Sequence, residues 1–205
     1  MHAKLRVGNS PEVAIVLDAD AKELVTEALR AGQHPSQLIV ELLLRLIRPG
    51  QRVLDVGAHV GSVGLFAAAG AHVIAVEGSR TNAALIEQST KVNSFSTMRV
   101  IHAAVADRDG EVSFTVHGPW GHISVAGEDE AAWNIERVPA FTIDSIVRDA
   151  GWPAVDLLKI DVEGGEHAAF LGANELLSST NAPIVIFESN EWTSAMAGHT
   201  SVELR

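Results

Sequence analysis

Hydrophobic positions fall into short runs along the chain, and segments with a different periodicity separate these runs. Five apolar runs, each four to eight residues long, are typical of strands buried on both faces of a parallel sheet. The segments between them carry helix-capping residues and helical spacing. This alternation predicts an α/β fold, a doubly wound sheet with right-handed crossovers. The runs, numbered strands one to five, are Val53–Val56, His72–Glu77, Arg99–Ala106, Asp156–Asp161 and Pro183–Glu188.

The first 50 residues predict one more strand and two helices that pack on the core. Val13–Leu17 is an apolar strand, and Asp18 or Asp20 can cap a helix that runs to Arg30. A second helix, at residues 36–47, has one narrow polar stripe on an otherwise apolar surface. We therefore expect this second helix to be largely buried.

The chain between strands three and five predicts a surface excursion followed by further helices. A turn at 107–110 precedes residues 111–117, whose alternating pattern is typical of an exposed antiparallel strand. The Gly-, Pro- and Trp-containing stretch at 118–130 predicts a loop that shapes a substrate site. Thr142 can cap a short helix, and the last predicted helix covers residues 166–178.

Composition limits the partners and the number of domains. A length of 205 residues fits a single domain, in which residues 1–50 pack on a core at 51–205. The net charge is -11, with no cluster of Lys or Arg, so we expect no nucleic-acid partner. No apolar run approaches the roughly 20 residues needed to cross a bilayer, and we therefore expect no membrane partner and a cytoplasmic location.

The turn after strand one indicates the kind of cofactor. A dinucleotide site needs Gly-x-Gly-x-x-Gly, whose middle glycine lets the backbone approach a pyrophosphate. Here His59 takes the middle position and Ser62 the third. Asp55 stands two residues before the first glycine, where a negative charge disfavours a pyrophosphate and suits a cationic ligand. The turn resembles the first motif of S-adenosylmethionine (SAM)-dependent methyltransferases, whose cofactor carries a sulfonium and an ammonium.

The ends of the predicted strands carry acidic residues where ligands of doubly wound sheets bind. Glu77 closes strand two about twenty residues after the first glycine, the position from which a carboxylate accepts hydrogen bonds from ribose hydroxyls. It supports an adenosine ligand without choosing between cofactors, and the glycine spacing makes that choice. The other acids at strand ends are Asp55, Asp107, Asp161, Glu163, Glu166 and Glu188.

The segment Lys159–Glu166 resembles the strand-four motif of the FkbM-type methyltransferases, Lys-Ile-Asp-Val-Glu-Gly-x-Glu. The resemblance spans roughly residues 13–190. It implies a Rossmann-like methyltransferase sheet, SAM as the cofactor, and O-methylation of a hydroxyl on a small-molecule or glycan acceptor, such as a sugar or secondary metabolite. Shorter matches are Pro49-Gly50, Asp55–Ala58, Val76-Glu77, Asp109–Glu111 and Phe141–Asp144.

The same resemblance implies which residues contact the cofactor. Glu77 would hold the ribose, and His59, which replaces the asparagine usual in the family, would pack beside the cofactor. Asp107 fits either an adenine contact or a turn residue. The methionine part would lie against Asp55, Gly57, Ala58 and Gly61, the adenine against Ala104 and Val105, and the transferred methyl would face Asp161.

Transfer of a methyl group to a hydroxyl also needs a base. Asp161 is the first candidate because it follows strand four, although it also fits a role in holding the next glycine turn. Glu163 and Glu166 are candidates that fit equally well as acids at a helix start, and Glu188 ends strand five. His122 is the rival base. Asp161, Glu163 and Glu188 offer oxygens suited to a divalent metal, but their spacing requires none, and we expect none.

The end of the chain leaves the predicted sheet incomplete. Methyltransferases of this class usually continue after strand five through a helix and a closing hairpin, and residues 194–205 are too few for both. We therefore expect the C-terminal hairpin to be missing and strand five to lie at a sheet edge, which favours association. A partner subunit of a homo-oligomer or a missing C-terminal segment would cover this edge. The alternative function is a catalytically silent domain that binds SAM or its product, or that mediates assembly.

Overall fold

The computed structural model describes residues 1–61, 63–116, 120–124, 134–200 and 202. A parallel sheet with helices on both faces forms the centre of this part of the chain. The strands are β1 (His2–Leu5), β2 (Val13–Val16), β3 (Arg52–Val56), β4 (His72–Glu77), β5 (Met98–His102), β6 (Ala104–Val105), β7 (Gly110–Val116), β8 (His122–Ile123), β9 (Asn134–Phe141), β10 (Leu157–Ile160) and β11 (Ile184–Phe187). The helices are α1 (Leu24–Arg30), α2 (Gln37–Leu46), α3 (Val63–Ala68), α4 (Arg80–Val92), α5 (Ile143–Asp149), α6 (Glu166–Leu171), α7 (Asn174–Leu177) and α8 (Glu191–Met196).

The central sheet confirms the predicted doubly wound fold. Its five strands are all parallel and lie in the order β11-β10-β3-β4-β5. Strand β3 contributes Leu54 and Val56 to the core on one face of the sheet and Val53 to the core on the other. The strand order reverses between β3 and β10, and such a switch point is where ligands bind in sheets of this type.

Residues 1–50 contain the predicted strand and both helices, but the predicted cap is wrong. Strand β2 pairs antiparallel with β1. Helix α1 begins at Leu24, after Glu23, and no side chain caps its start. The carboxylate of Asp18 instead accepts the backbone N–H of Asp20 at 2.9 Å. This local turn keeps both aspartates outside the helix.

Helix α2 is not largely buried, which corrects the prediction from its polar stripe. Val40 and Leu43 are buried, whereas Leu38 is 80% exposed and Ile39 and Leu42 are also exposed. Helical periodicity shows which residues share a face, but only tertiary packing decides how much of an apolar face meets the core.

The part of the chain between β5 and β10 forms a second sheet, with the strands in the order β6-β9-β7-β8. Predicted strand three is two strands, because β5 pairs with β4 while β6 pairs with β9. The antiparallel strand predicted at 111–117 is confirmed as β7. The sequence does not predict strand β9, because proline is unfavourable inside a strand and Pro139 has charged residues near it. Most of the predicted loop at 118–130 lies outside the described residues.

The C-terminal part keeps the predicted elements but divides one of them. Thr142 caps α5 by accepting the N–H of Ser145 at 3.1 Å, as predicted. The single helix predicted at 166–178 is α6 and α7, which separate at Gly172, where a Cβ would overlap the carbonyl oxygen of Ala106. Strand β11 forms the edge of the central sheet, as predicted. Of the helices described, none has both the length and the apolar character to cross a membrane.

Candidate active site

Two cavities open at the carboxyl ends of the central strands and meet at the switch point. The smaller, about 50 Å³, is lined by Glu77, Ala104 and Val105 among others. The larger is a cleft of about 520 Å³ that extends past Ile39 of α2 to Glu188. Four residues line both cavities: Gly57, His59, Asp161 and Glu163. The junction therefore brings together part of the predicted cofactor residues and two of the base candidates, Asp161 and Glu163.

The turn after β3 brings the backbones of β3 and β10 into close contact. Gly57 has a φ of +75°, and a Cβ added to it would overlap the carbonyl oxygen of Asp161. Its N–H donates to the carbonyl of Val76 at 3.0 Å. His59 also has a left-handed backbone, with a φ of +49°, a conformation that Asn and His adopt more readily than most side chains. The histidine therefore fits the same turn as the asparagine it replaces.

Glu77 ends β4 beside the smaller cavity, and its carboxylate is buried. Its Oε2 accepts the N–H of His59 at 2.9 Å, and its Oε1 accepts the N–H of Ser79 at 2.8 Å. Burial raises the pKa of Glu77 to about 7, and these hydrogen bonds oppose the rise only in part. Each carboxylate oxygen can accept more than one donor, so both retain capacity for ribose hydroxyls.

Lys159 joins Asp55, the glycine turn and Asp161 through a charge network that is buried at Asp55 and partly exposed at Asp161. Its Nζ lies 3.1 Å from Oδ1 of Asp55, 3.3 Å from the carbonyl oxygen of Gly57 and 3.3 Å from Oδ2 of Asp161. Burial alone would lower the pKa of Lys159, but the two carboxylates outweigh it and the pKa is raised. Lys159 is not among the predicted site residues, although a charged residue inside an apolar strand is a signal that could have identified it.

Asp55 is completely buried beneath the turn and lines neither cavity. Because it lines neither cavity, Asp55 does not contact a cationic ligand directly in the way that its place in the sequence suggests. Burial raises the pKa of Asp55, and Lys159 opposes that rise. Its Oδ2 has no hydrogen-bond partner among the residues described. A buried oxygen left without a donor is costly.

Three carboxylates converge at the junction of the cavities, those of Asp161, Glu163 and Glu188. One oxygen of each lies within 4.8 Å of the others. Burial, followed by the negative charges of Glu188, Asp161 and Glu166, raises the pKa of Glu163 to about 7, although His122 opposes the rise. Burial, then the charges of Asp161 and Glu166, raises the pKa of Glu188. The cluster therefore contains an acid that can hold or release a proton near neutral pH.

Glu166 and His122 lie beside this cluster but line neither cavity. The buried carboxylate of Glu166 accepts the N–H of Val162 at 3.1 Å and that of Gly164 at 3.0 Å. Burial raises the pKa of Glu166, and these hydrogen bonds oppose the rise. Glu166 thus holds the loop after β10. In β8, Nδ1 of His122 is hydrogen-bonded to the carbonyl of Trp120 at 2.9 Å.

The wall of the cleft next to α2 contains His34, which no sequence motif indicated. A Cβ on Gly61 would come within 3.3 Å of Nε2 of His34, so the two residues are in contact. Burial, then the charges of Lys159 and His59, lowers the pKa of His34 to about 4, which leaves its ring neutral at pH 7. Ala58 is buried and lines the same cleft.

The smaller cavity contains only part of the predicted adenine contacts. Ala104 and Val105 line it together with Phe114. The ring of Phe114 packs against Gly78 so closely that a Cβ there would overlap it. Asp107 is exposed, lies 4.0 Å from Arg108 and is outside both cavities. The structure therefore places the strand-three pair in the cavity and Asp107 on the surface.

Comparison with known sequences gives one family and a partial relative. The family described as methyltransferase FkbM domain matches residues 55–203. Ribosomal RNA large subunit methyltransferase E of Sorangium cellulosum (strain So ce56) is 41% identical over 76 residues, which are 33% of this chain and 36% of that protein. The match therefore spans about a third of that relative's length.

Comparison with solved structures concerns the fold. The SAM-dependent methyltransferase from Agrobacterium tumefaciens has a TM-score of 0.50 and 13% identity, covering 100% of this chain and 58% of that chain. The C-terminal domain of precorrin-6Y C5,15-methyltransferase from Rhodobacter capsulatus has a TM-score of 0.49 and 15% identity, covering 89% and 71%. The first likeness shows that the two chains share a Rossmann-like α/β fold.

Proposed function

Because the chain belongs to the methyltransferase FkbM domain family, we propose that it transfers a methyl group from SAM to a hydroxyl of a sugar or another small metabolite. The observation that carries this proposal is the junction of the two cavities. A nucleoside seated only partly in the smaller cavity, which at about 50 Å³ cannot enclose it, and an acceptor in the cleft would meet beside Gly57, His59, Asp161 and Glu163.

The residues around the smaller cavity fit the chemistry of SAM. The buried carboxylate of Glu77 suits the two ribose hydroxyls, and Ala104 and Val105 offer an apolar surface for adenine. When bound, SAM supplies a methyl carbon on a positively charged sulfur, and transfer breaks that C–S bond with the electron pair remaining on sulfur.

Glu163 is the base in this proposal, in place of Asp161. An oxygen of Asp161 is already engaged by Lys159 at 3.3 Å, whereas Glu163 lines both cavities and has a pKa raised to about 7. A base of this strength is matched to proton transfer near neutral pH. Glu163 would take the proton of the acceptor hydroxyl while the hydroxyl oxygen forms the bond to the methyl carbon.

The cleft suggests a small acceptor. Its apolar wall includes Ile39 and Phe187, and its polar side is formed by the acids of the junction. The name of the Sorangium protein contains ribosomal RNA, but we do not propose RNA as a substrate of this chain. Its net charge of -11 opposes the approach of a nucleic-acid backbone. A glycan or hydroxylated metabolite avoids that repulsion.

Titration calorimetry with SAM tests the cofactor half of the proposal. We expect binding in the wild type and about tenfold weaker binding in Glu77→Gln, because a charge-assisted hydrogen bond to the ligand is lost. Glu111→Gln is the control, since this exposed acid pairs with Arg137 on the second sheet. Wild-type affinity in Glu77→Gln would contradict the assignment.

Formation of S-adenosylhomocysteine (SAH) with a panel of glycans and hydroxylated metabolites tests the acceptor half. At saturating SAM, Glu163→Gln should lose turnover. Loss in Asp161→Asn with full activity in Glu163→Gln would assign the base to Asp161 instead. Binding of SAM without turnover across the panel would favour a catalytically silent domain.

A further inference from the structure

We propose that the carboxylates at the cavity junction make the site prefer SAM over its product SAH, with Glu163 as the main discriminating residue. This inference rests on the proposed function, because it requires both ligands to bind where the cavities meet. The two ligands differ by one positive charge, since SAM has a sulfonium where SAH has an uncharged thioether. A site that responds to this charge retains the substrate and releases the product.

Glu163 lies where a difference in ligand charge has a large effect. It lines both the smaller cavity and the cleft, so a ligand that spans the junction passes beside it. One of its carboxylate oxygens lies within 4.8 Å of an oxygen of Asp161 and one of Glu188. A cation at the junction would therefore be attracted by several carboxylates at once.

The charges that surround Glu163 leave it without full compensation. Glu188 from the end of β11, Asp161 from the end of β10 and Glu166 from α6 are negative, and each raises the pKa of Glu163. His122 from β8 opposes them, yet the pKa still stands at about 7. Lys159 does not compensate Glu163, because its Nζ contacts Asp55, Asp161 and a backbone carbonyl.

Asp55 gives an independent indication that positive charge is in short supply. Its Oδ2 is fully buried, and no hydrogen-bond partner exists for it in the described part of the chain. Asp55 shares Lys159 with Asp161, so one ammonium serves two carboxylates. Because a buried carboxylate is stabilised by a nearby positive charge, this network favours a cationic ligand over a neutral one.

The electrostatic attraction between the site and its ligand would be lost during the proposed reaction. Glu163 takes up the hydroxyl proton in the same event in which the C–S bond breaks and leaves its electron pair on sulfur. The carboxylate and the sulfonium thus lose their charges together. The attraction that held the substrate is then absent from the product state, which favours release of SAH.

The ratio of the SAH and SAM dissociation constants at pH 8 tests the inference by titration calorimetry. We expect Glu163→Gln to weaken SAM binding about tenfold, the effect of one nearby charge, while SAH binding changes less than about twofold. Glu188→Gln should act in the same direction. The control Glu87→Gln removes an exposed acid of α4 and should leave the ratio unchanged.

A second measurement uses only the wild-type protein. A cation beside Glu163 favours its ionised form, so SAM binding at pH 7 should release a proton and SAH binding should not. Calorimetry in two buffers of different ionisation enthalpy detects that proton. Equal affinities that do not respond to Glu163→Gln, with no difference in proton release, would overturn the inference and leave the proposed function intact. Failure of both ligands to bind would overturn the proposed function itself.

Discussion

Gly57 is the residue on which the geometry of the cavity junction depends most directly. An alanine at this position would require a left-handed backbone and would also place its Cβ on the carbonyl oxygen of Asp161. The backbone conformation costs about 1 to 2 kcal/mol, and the overlap adds to it because β3 and β10 must move apart. We expect Gly57→Ala to lower the free energy of unfolding in urea by at least about 3 kcal/mol.

Gly50 provides the matched control for this substitution. Its φ is +84°, and nothing lies within 4 Å of a Cβ built on it. Gly50→Ala should therefore show the backbone cost alone, about 1 to 2 kcal/mol. Equal losses of stability in the two variants would show that the close approach of the strands does not constrain Gly57.

The residues that the sequence could predict are those whose role follows from a strand end. Glu77 and Asp161 stand at the carboxyl ends of parallel strands, and that position alone brings them to the ligand side of the sheet. Lys159 and His34 could not be assigned in this way. The role of Lys159 depends on its register opposite Asp55, and His34 reaches the cleft only through the packing of the segment before α2.

At the scale of elements, prediction succeeded where local patterns and tertiary packing agree. Strand β4 matches its predicted bounds because it is a continuous apolar run between two paired strands. The division between β5 and β6 was missed because it depends on β9, which is far away in the chain. The burial of α2 was wrong for a related reason, since its partners and not its periodicity decide which side chains are covered.

Strand β11 carries a prediction about association. It is the edge strand of the central sheet, and Ile184 at its start is 51% exposed. We expect a second copy or a further segment of the protein to cover this edge, because an open apolar edge strand pairs readily with another chain. Sedimentation velocity should show self-association that increases with concentration.

A charge on this edge should suppress that association. We expect Ile184→Lys to move the midpoint of self-association to about tenfold higher protein concentration. Val92→Lys is the control, because Val92 of α4 is similarly exposed, at 49%, but does not lie in the sheet. A wild-type chain that stays monomeric over the whole concentration range would contradict this prediction.

For the whole molecule, the buried ionisable groups of the site connect its stability to pH. Glu77 and Glu163 have pKa values raised from 4.5 to about 7, so between these values the folded protein holds protons that the unfolded chain has lost. The free energy of unfolding must therefore fall as pH rises through this range. His34 has the opposite effect below its ordinary pKa of 6.5, because its pKa falls to about 4 on folding.

These opposing effects define the pH range in which the two glutamates determine how the free energy of unfolding changes with pH. Below pH 6.5 the protons missing from His34, and from His59, whose pKa burial also lowers, offset those retained by the glutamates. Above pH 6.5 the histidines of the unfolded chain also lose their protons, so their opposing effect fades and the glutamates dominate the titration. We expect the free energy of unfolding in urea to fall by about 0.5 kcal/mol between pH 6.5 and pH 8, because the fading effect of the histidines offsets part of that of the glutamates and Glu163 is discounted for its partial exposure.

Glu77→Gln identifies the source of that fall. The substitution removes the more deeply buried of the two acids, so stability should become less dependent on pH, while Glu87→Gln on the surface of α4 should preserve the wild-type dependence. Added SAM should also flatten the curve, because a cation beside Glu163 stabilises the ionised form that dominates at pH 8. Stability that rises between pH 6.5 and pH 8 would mean that these carboxylates are compensated in the folded protein, and that the junction does not lack positive charge.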